Sequence, residues 1–194
     1  MPETPIAEIP TLGDLETVAS TCTRCALAEG RTHVVFGDGD PSAGLVFVGE
    51  GPGAREDEQG LPFVGPSGNL LTELIEGIGL RRGDCYIANV VKCRPPANRD
   101  PLPVEIAACR PYLEAQLGFI EPTVVVTLGN FAMKLLLDTT NGITKMRGSQ
   151  YPFGDSVLVP TFHPAAALRG GGGVLADMRA DFVRVKRLLT GEEP

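Results

Sequence analysis

Two acids, an amide, an imidazole and four thiols stand in this chain at spacings that suit chemistry. The apolar run 45–48 leads straight into Gly49-Glu-Gly-Pro-Gly53 and on to Glu56 and Asp57. A buried strand that ends in a glycine- and proline-rich turn, with polar groups at its carboxyl end, is how open α/β sheets build ligand sites. Glycine in such a turn lets backbone N–H groups come close to a ligand, because no Cβ intervenes. Two further apolar runs carry an unusual polar residue: Asn89 within 86–91, and His163 directly after 157–162. Taken alone, the acidic turn is equally well a strand–loop connection with solvated carboxylates. The other loops decide whether it is a site.

The cysteines number five. Cys22-Thr-Arg-Cys25 is a C-x-x-C pair, a spacing that lets two thiolates grip one metal centre. Cys93 and Cys109 add two more, with fifteen residues between them. Four thiolates suit either Zn²⁺ or an iron–sulfur cluster, and ligand softness does not choose between them. A thioredoxin-like redox pair needs its C-x-x-C at a helix N-terminus after a strand; here it lies near the end of a helical pattern, before any strand. Unrelated core thiols are the remaining reading. Cys93 counts against it, since it sits in a loop of prolines and arginines. Cys85, beside Asp84 at a strand entrance, reads as structural.

These residues are positioned by alternating strand and helix patterns. Residues 1–12 contain three prolines and read as a mobile lead-in, with one domain over 13–194. A helical pattern covers 12–28, and 31–40 is strand or loop closing in a Gly-Asp-Gly-Asp-Pro turn. Strands are expected over 45–48, 86–91, 123–128 and 157–162. Between them, Ser67 looks like the N-cap of a helix ending at Gly79, a second helix covers 104–119, and a third opens at Gly129. Residues 141–148 and 163–169 read as loops, the glycines of 170–173 as flexible, and 174–189 as a closing amphipathic helix. Alternation of this kind predicts a three-layer α/β/α sandwich around a four-stranded parallel sheet, with Glu50, Asn89 and His163 converging at one edge.

Composition bounds the rest. With 194 residues, 43% hydrophobic and 21% charged, the chain suits a single globular domain. No apolar run reaches the roughly 20 residues of a membrane span, and no basic-then-apolar leader opens the sequence, so a cytoplasmic protein is expected. A net charge of −7 argues against broad attraction to nucleic acid but allows a local basic face.

Gly49-Glu-Gly-Pro-Gly53 with Glu56-Asp57, Pro62-Phe-Val-Gly-Pro66, Asn89-Val-Val-Lys-Cys-Arg-Pro-Pro96 and His163-Pro-Ala-Ala-Ala-Leu-Arg169, in this order, resemble the family 4 uracil-DNA glycosylases. The resemblance implies an α/β/α fold and excision of uracil from single- or double-stranded DNA in base-excision repair, by a monomer that leaves an abasic site. It also implies a [4Fe–4S] cluster on Cys22, Cys25, Cys93 and Cys109. By the same resemblance Phe63 stacks on the extruded uracil, Asn89 bonds its Watson–Crick edge and His163 contacts O2. Gly51 lends backbone at the pocket floor, Glu50 lies near the attacking water, and Glu56 crowds the uracil C5. A related branch captures DNA covalently through a histidine on an arginine-rich insertion; residues 95–101 here hold neither insertion nor histidine.

The chemistry fits these types. Breaking the C1′–N1 bond leaves an oxocarbenium-like sugar and a uracil anion, so the site must stabilise negative charge on the base. His163 can do so as neutral imidazole or as imidazolium. Glu50 or Glu56 has the right charge to orient water or stabilise the sugar cation. Leu168 can fill the gap left by a flipped base or pack down on the core, and Arg169 can hold a phosphate. The alternative is a non-catalytic iron–sulfur nucleic-acid-binding module of the same fold.

Overall fold

Residues 5–192 are described by the computed structural model. Among them, six strands form one sheet: β1 (Asp38–Gly39), β2 (Leu45–Gly49), β3 (Tyr86–Asn89), β4 (Val124–Leu128), β5 (Tyr151–Phe153) and β6 (Ser156–Thr161). Their spatial order is β1-β3-β2-β4-β6-β5. The four expected strands make the parallel centre. The edge strands β1 and β5 pair antiparallel, so the expected four-stranded parallel sheet is a six-stranded mixed one. Neither edge shows a periodicity to read. β1 is two residues inside a turn sequence, and β5 is three residues around Pro152, tolerated where no ladder N–H is required.

Nine α-helical segments accompany the sheet among the described residues: α1 (Leu12–Ser20), α2 (Leu27–Gly30), α3 (Ala54–Gln59), α4 (Pro66–Gly77), α5 (Pro103–Ile120), α6 (Asn130–Leu137), α7 (Ile143–Met146), α8 (Pro164–Gly170) and α9 (Gly172–Thr190). Successive β2 side chains alternate between the two faces of the sheet. Leu45 and Phe47 join Leu71 and Ile75 of α4 and Phe182 of α9. Val46 and Val48 join Leu113 and Leu117 of α5 and Ala132 of α6. Helices thus cover both faces, and the rings of Phe47 and Phe182 stack with centroids 5.5 Å apart.

Several local expectations change. The helical pattern 12–28 is broken: α1 ends at Ser20, where the Ser20 hydroxyl donates to Thr17 O and competes with the helical ladder. Cys22 and Cys25 therefore lie in the connection to α2. The lead-in is docked from Ile6 on, with Ile9 buried against Leu15, Ala19, Phe36 and Tyr112; residues 1–4 lie outside the described residues. Gly65, not Ser67, caps α4, because Pro66 takes the first helical position with its φ already set. The polar stretch 141–148 contains α7, which buries Ile143 and Met146. The loop expected at 163–169 is α8, and the glycine run is the joint between α8 and α9, turned by Gly171 at φ +75°.

One buried carboxylate ties this joint to the sheet. Asp181 of α9 accepts from Thr161 Oγ1 at 2.7 Å, from Arg147 at 2.7 and 3.1 Å, and from Arg184 at 3.0 Å. It fastens α9 to the end of β6, immediately before the histidine. Breaking a buried ion pair by removing one partner costs about 3–5 kcal/mol. Asp181→Ala is expected to lose about 3 kcal/mol in urea denaturation; a loss below a tenth of that would mean that the network contributes nothing.

Candidate active site and cysteine cavity

The carboxyl ends of β2, β3 and β6 open on a cleft of 520 Å³. Glu50, Gly51, Glu56, Phe63, Asn89, His163 and Arg169 all line it, so residues scattered over more than a hundred positions meet in one place. Leu168 does not line the cleft. It stands 54% exposed on α8, which removes the core-packing reading.

Asn89 ends β3 with its side chain buried, and its Oδ1 has no hydrogen-bond partner. Leaving a buried acceptor unpaired costs about 1–3 kcal/mol, which a ligand donor can recover. The amide approaches closely because residue 49 is glycine. A Cβ there would lie 2.4 Å from Asn89 Oδ1 and 2.7 Å from the Phe63 ring. Gly49 leaves the room in which the Asn89 amide and the Phe63 ring meet, and the sequence reading missed it. Its signal was present: it is the last residue of the apolar strand and sits beside Glu50.

Phe63 adopts φ +52°, a left-handed conformation that costs a bulky residue energy. Three contacts enforce it. Glu56 Oε1 accepts from Val64 N and Gly65 N, each at 3.0 Å. Arg82 donates to Pro62 O at 2.6 Å. A Cβ on residue 68 would fall 1.8 Å from Phe63 O, so glycine is obligatory there. The ring ends 5.7 Å from that of His163, tilted by 34°.

His163 is the N-cap of α8, and its Nδ1 accepts from Ala165 N–H at 3.1 Å. A ring nitrogen that accepts carries no proton, so the proton is on Nε2. Burial, with Arg169 nearby, pushes the pKa down to about 4. Of the two forms open to sequence reasoning, the site holds the neutral imidazole, with Nε2–H as its donor. Its capping role is what fixes the tautomer.

The two acids differ. Burial, and secondarily Asp100, pushes Glu50 up to about 7. Glu56 is tied to the backbone: its other oxygen accepts from Gly53 N at 3.1 Å. With three backbone N–H groups on one carboxylate, Glu56 is a clamp between the Gly53 turn and the Phe63 loop. The expectation for Glu56 is a place beside the uracil C5 or the water; it does line the cleft, and the clamp is a structural task that the sequence did not show. Asp57 does similar work on the other side, accepting from Thr32 N at 2.9 Å and His33 N at 3.4 Å.

Cys22, Cys25, Cys93 and Cys109 line a second cavity, while Cys85 is packed in the sheet's other face. Arg31 Nη1 donates to Cys93 Sγ at 3.4 Å, and the Lys92 backbone N–H donates to Cys109 Sγ at 3.2 Å. Donors aimed at sulfur are what a metal-bound thiolate needs. Among the described residues, no group of three or more His, Cys, Asp or Glu side chains is gathered closely enough for a single metal ion.

Residues 36–187 match the model of the uracil DNA glycosylase superfamily, and the chain belongs to that superfamily. Curated relatives narrow the class. The chain is 51% identical over 150 residues to the type-4 uracil-DNA glycosylase of Thermotoga maritima, covering 76% of this chain and 78% of that one. It is 44% identical over 177 residues to the type-4 enzyme of Sulfurisphaera tokodaii, covering 87% and 80%. With that of Archaeoglobus fulgidus the identity is 40% over 191 residues, covering 94% and 96%.

The contrast between the two acids is measurable without substrate. Glu50, with its pKa raised from 4.5 to about 7, stays protonated in the fold while the unfolded chain ionises it, so its cost to stability grows as pH rises from 4.5 and is complete above about 7. Glu50→Gln is therefore expected to raise the melting temperature at pH 8. Glu56→Ala, which strands three donors, is expected to lower stability by about 2 kcal/mol. Equal shifts of one sign would contradict the assignment.

Proposed function

We propose that this protein excises uracil from DNA by hydrolysing the bond between C1′ and N1, releasing free uracil and leaving an abasic site for repair. The observation that carries the reading is the unpaired Asn89 Oδ1, buried beside the Phe63 ring and the His163 imidazole. Flipping a nucleotide out of the duplex costs a few kcal/mol, least at mispairs and in single strands. Stacking on Phe63 returns ~1–3 kcal/mol. Asn89 Oδ1 accepts the uracil N3–H while its amide N–H donates to O4. Cytosine presents an acceptor at N3 and an amine at C4, so the same fixed amide mispairs with it.

As the glycosidic bond breaks, its electron pair stays on uracil N1 and negative charge spreads to O2. His163 Nε2–H donates there, and a neutral donor leaves no proton to be lost before reaction. Glu50 as carboxylate orients water toward C1′ and faces the positive sugar. Arg169 on α8 holds a phosphate of the flipped nucleotide, and exposed Leu168 enters the stack in its place. Cys22, Cys25, Cys93 and Cys109, which line one cavity with an arginine and a backbone N–H aimed at two of the sulfurs, would hold a [4Fe–4S] cluster. Held there, it would join the segment after α1 to the 93–109 segment; hydrolysis moves no electrons, so its contribution would be structural.

The test is release of uracil from a uracil-containing oligonucleotide by anaerobically purified protein. His163→Ala is expected to reduce release at least a hundredfold, the usual effect of removing a preorganised donor. No release by the unaltered protein, with its cluster intact, would favour the non-catalytic binding module. The pH profile tests Glu50 separately. Because Glu50 acts ionised and His163 stays neutral far below pH 7, kcat/KM should rise with pH to a single inflection near 7 and then level. Glu50→Gln should flatten that profile; an unchanged inflection would remove Glu50 from the mechanism.

A further inference from the structure

Lys92 is 2% exposed and faces no carboxylate among the described hydrogen bonds. A buried ammonium without a counter-charge is costly unless every N–H is satisfied. Here the geometry satisfies it. Nζ donates to the Asn89 backbone carbonyl at 2.9 Å and to Gln116 Oε1, and lies 5.9 Å from the centre of the Phe36 ring. Gln116 is fixed in turn, because its Nε2 donates to Phe36 O at 2.9 Å and to Tyr86 Oη at 3.3 Å. Its oxygen can then only accept. These contacts are specific to the ammonium; an apolar chain of equal length would fill the space and satisfy neither oxygen.

The main chain of the same residue faces the other way. Lys92 N–H donates to Cys109 Sγ, Lys92 lines the cysteine cavity, and Cys93 is its neighbour. One residue therefore touches the cysteine cavity with its backbone and the residue that bears the unpaired amide with its side chain. Only Val90 and Val91 separate it from Asn89 in sequence, and both are fully buried.

We propose that Lys92 is a positioning residue that sets the Asn89 amide for base recognition and couples that amide to the cysteine-lined centre. It holds the Asn89 carbonyl, so the end of β3 keeps the peptide orientation from which the side chain reaches the cleft. The inference rests on the uracil-excision reading of the cleft. It adds that base selection depends on a residue outside the cleft.

A double-mutant cycle separates positioning from mere packing. Lys92→Met, Asn89→Ala and the double variant are purified anaerobically, and the visible absorption of the cluster is recorded for each. Uracil release and inhibition by free uracil are then measured. Lys92→Met is expected to keep the cluster absorption, to lower kcat/KM tenfold or more and to weaken inhibition by free uracil tenfold or more. In the Asn89→Ala background the same substitution is expected to cost less than threefold. Equal losses in both backgrounds, or a change below twofold in the parent, would overturn the proposal. If Lys92→Met does not fold or lacks the cluster, Gln116→Leu decides. A threefold or larger weakening of uracil inhibition with intact cluster absorption supports the coupling, and an unchanged inhibition constant overturns it. Absence of uracil release by the parent protein would instead refute the function on which the inference rests, so the two failures are distinguishable.

Discussion

An aromatic ring offered to a ligand from a left-handed backbone has to be held from outside, and in this fold the hold is the carboxylate of Glu56. Its three hydrogen bonds join the turn after β2 to the loop that carries Phe63. Neither segment has regular structure of its own to lean on. Remove the clamp and Phe63 is free to leave the strained φ region for a more favourable one. The close approaches at Gly49 and Gly68 then serve no purpose, since each exists to admit the Phe63 ring or its carbonyl. The position of the ring fixes the face of the cleft, and the face determines what Asn89 and His163 can reach.

Around that clamp, charge is managed by burial. The His163 imidazole is kept neutral by desolvation while its Nδ1 is occupied by the helix it caps. Glu50, in the same cleft, is left with a pKa near neutrality, where a carboxylate is most useful as a base. Buried acids elsewhere serve as staples. Glu105 caps α5 and takes a bidentate bond from Arg99, which itself lines the cleft. Asp181 secures β6 just before the histidine. The side chains of the cleft are thus set by acids engaged with backbone N–H groups, a hydroxyl and arginines.

The sequence made much of this readable, and for physical reasons. The four central strands are continuous apolar runs because parallel strands covered on both faces must be, and their polar ends marked Glu50, Asn89 and His163. Four thiols gathered in one cavity were visible as spacing. Three things were not. Edge strands of two and three residues have no period to detect. The role of Glu56 depended on which N–H groups the folded loop would present, and no local pattern specifies a bond eight or nine residues away. The space at Gly49 is taken by two side chains that come from residues 63 and 89, so only the folded chain shows why a side chain is excluded there.

An acidic chain that acts on DNA looks paradoxical only if net charge is taken as a surface property. The total of −7 counts Asp57, Glu105 and Asp181, which are 4%, 2% and 0% exposed and are spent on backbone N–H groups or on arginines. A phosphate backbone meets the local field, and at the cleft that field includes Arg99 and Arg169. Attraction confined to a few cations is modest, and its dependence on salt is shallow, because the slope scales with the number of phosphates neutralised. What the cleft offers beyond charge is an amide whose buried acceptor has no other partner and is open to a ligand donor. Long-range attraction and selection by buried polar groups are separate demands, so an acidic total does not weigh against a cleft whose selectivity comes from groups kept out of water.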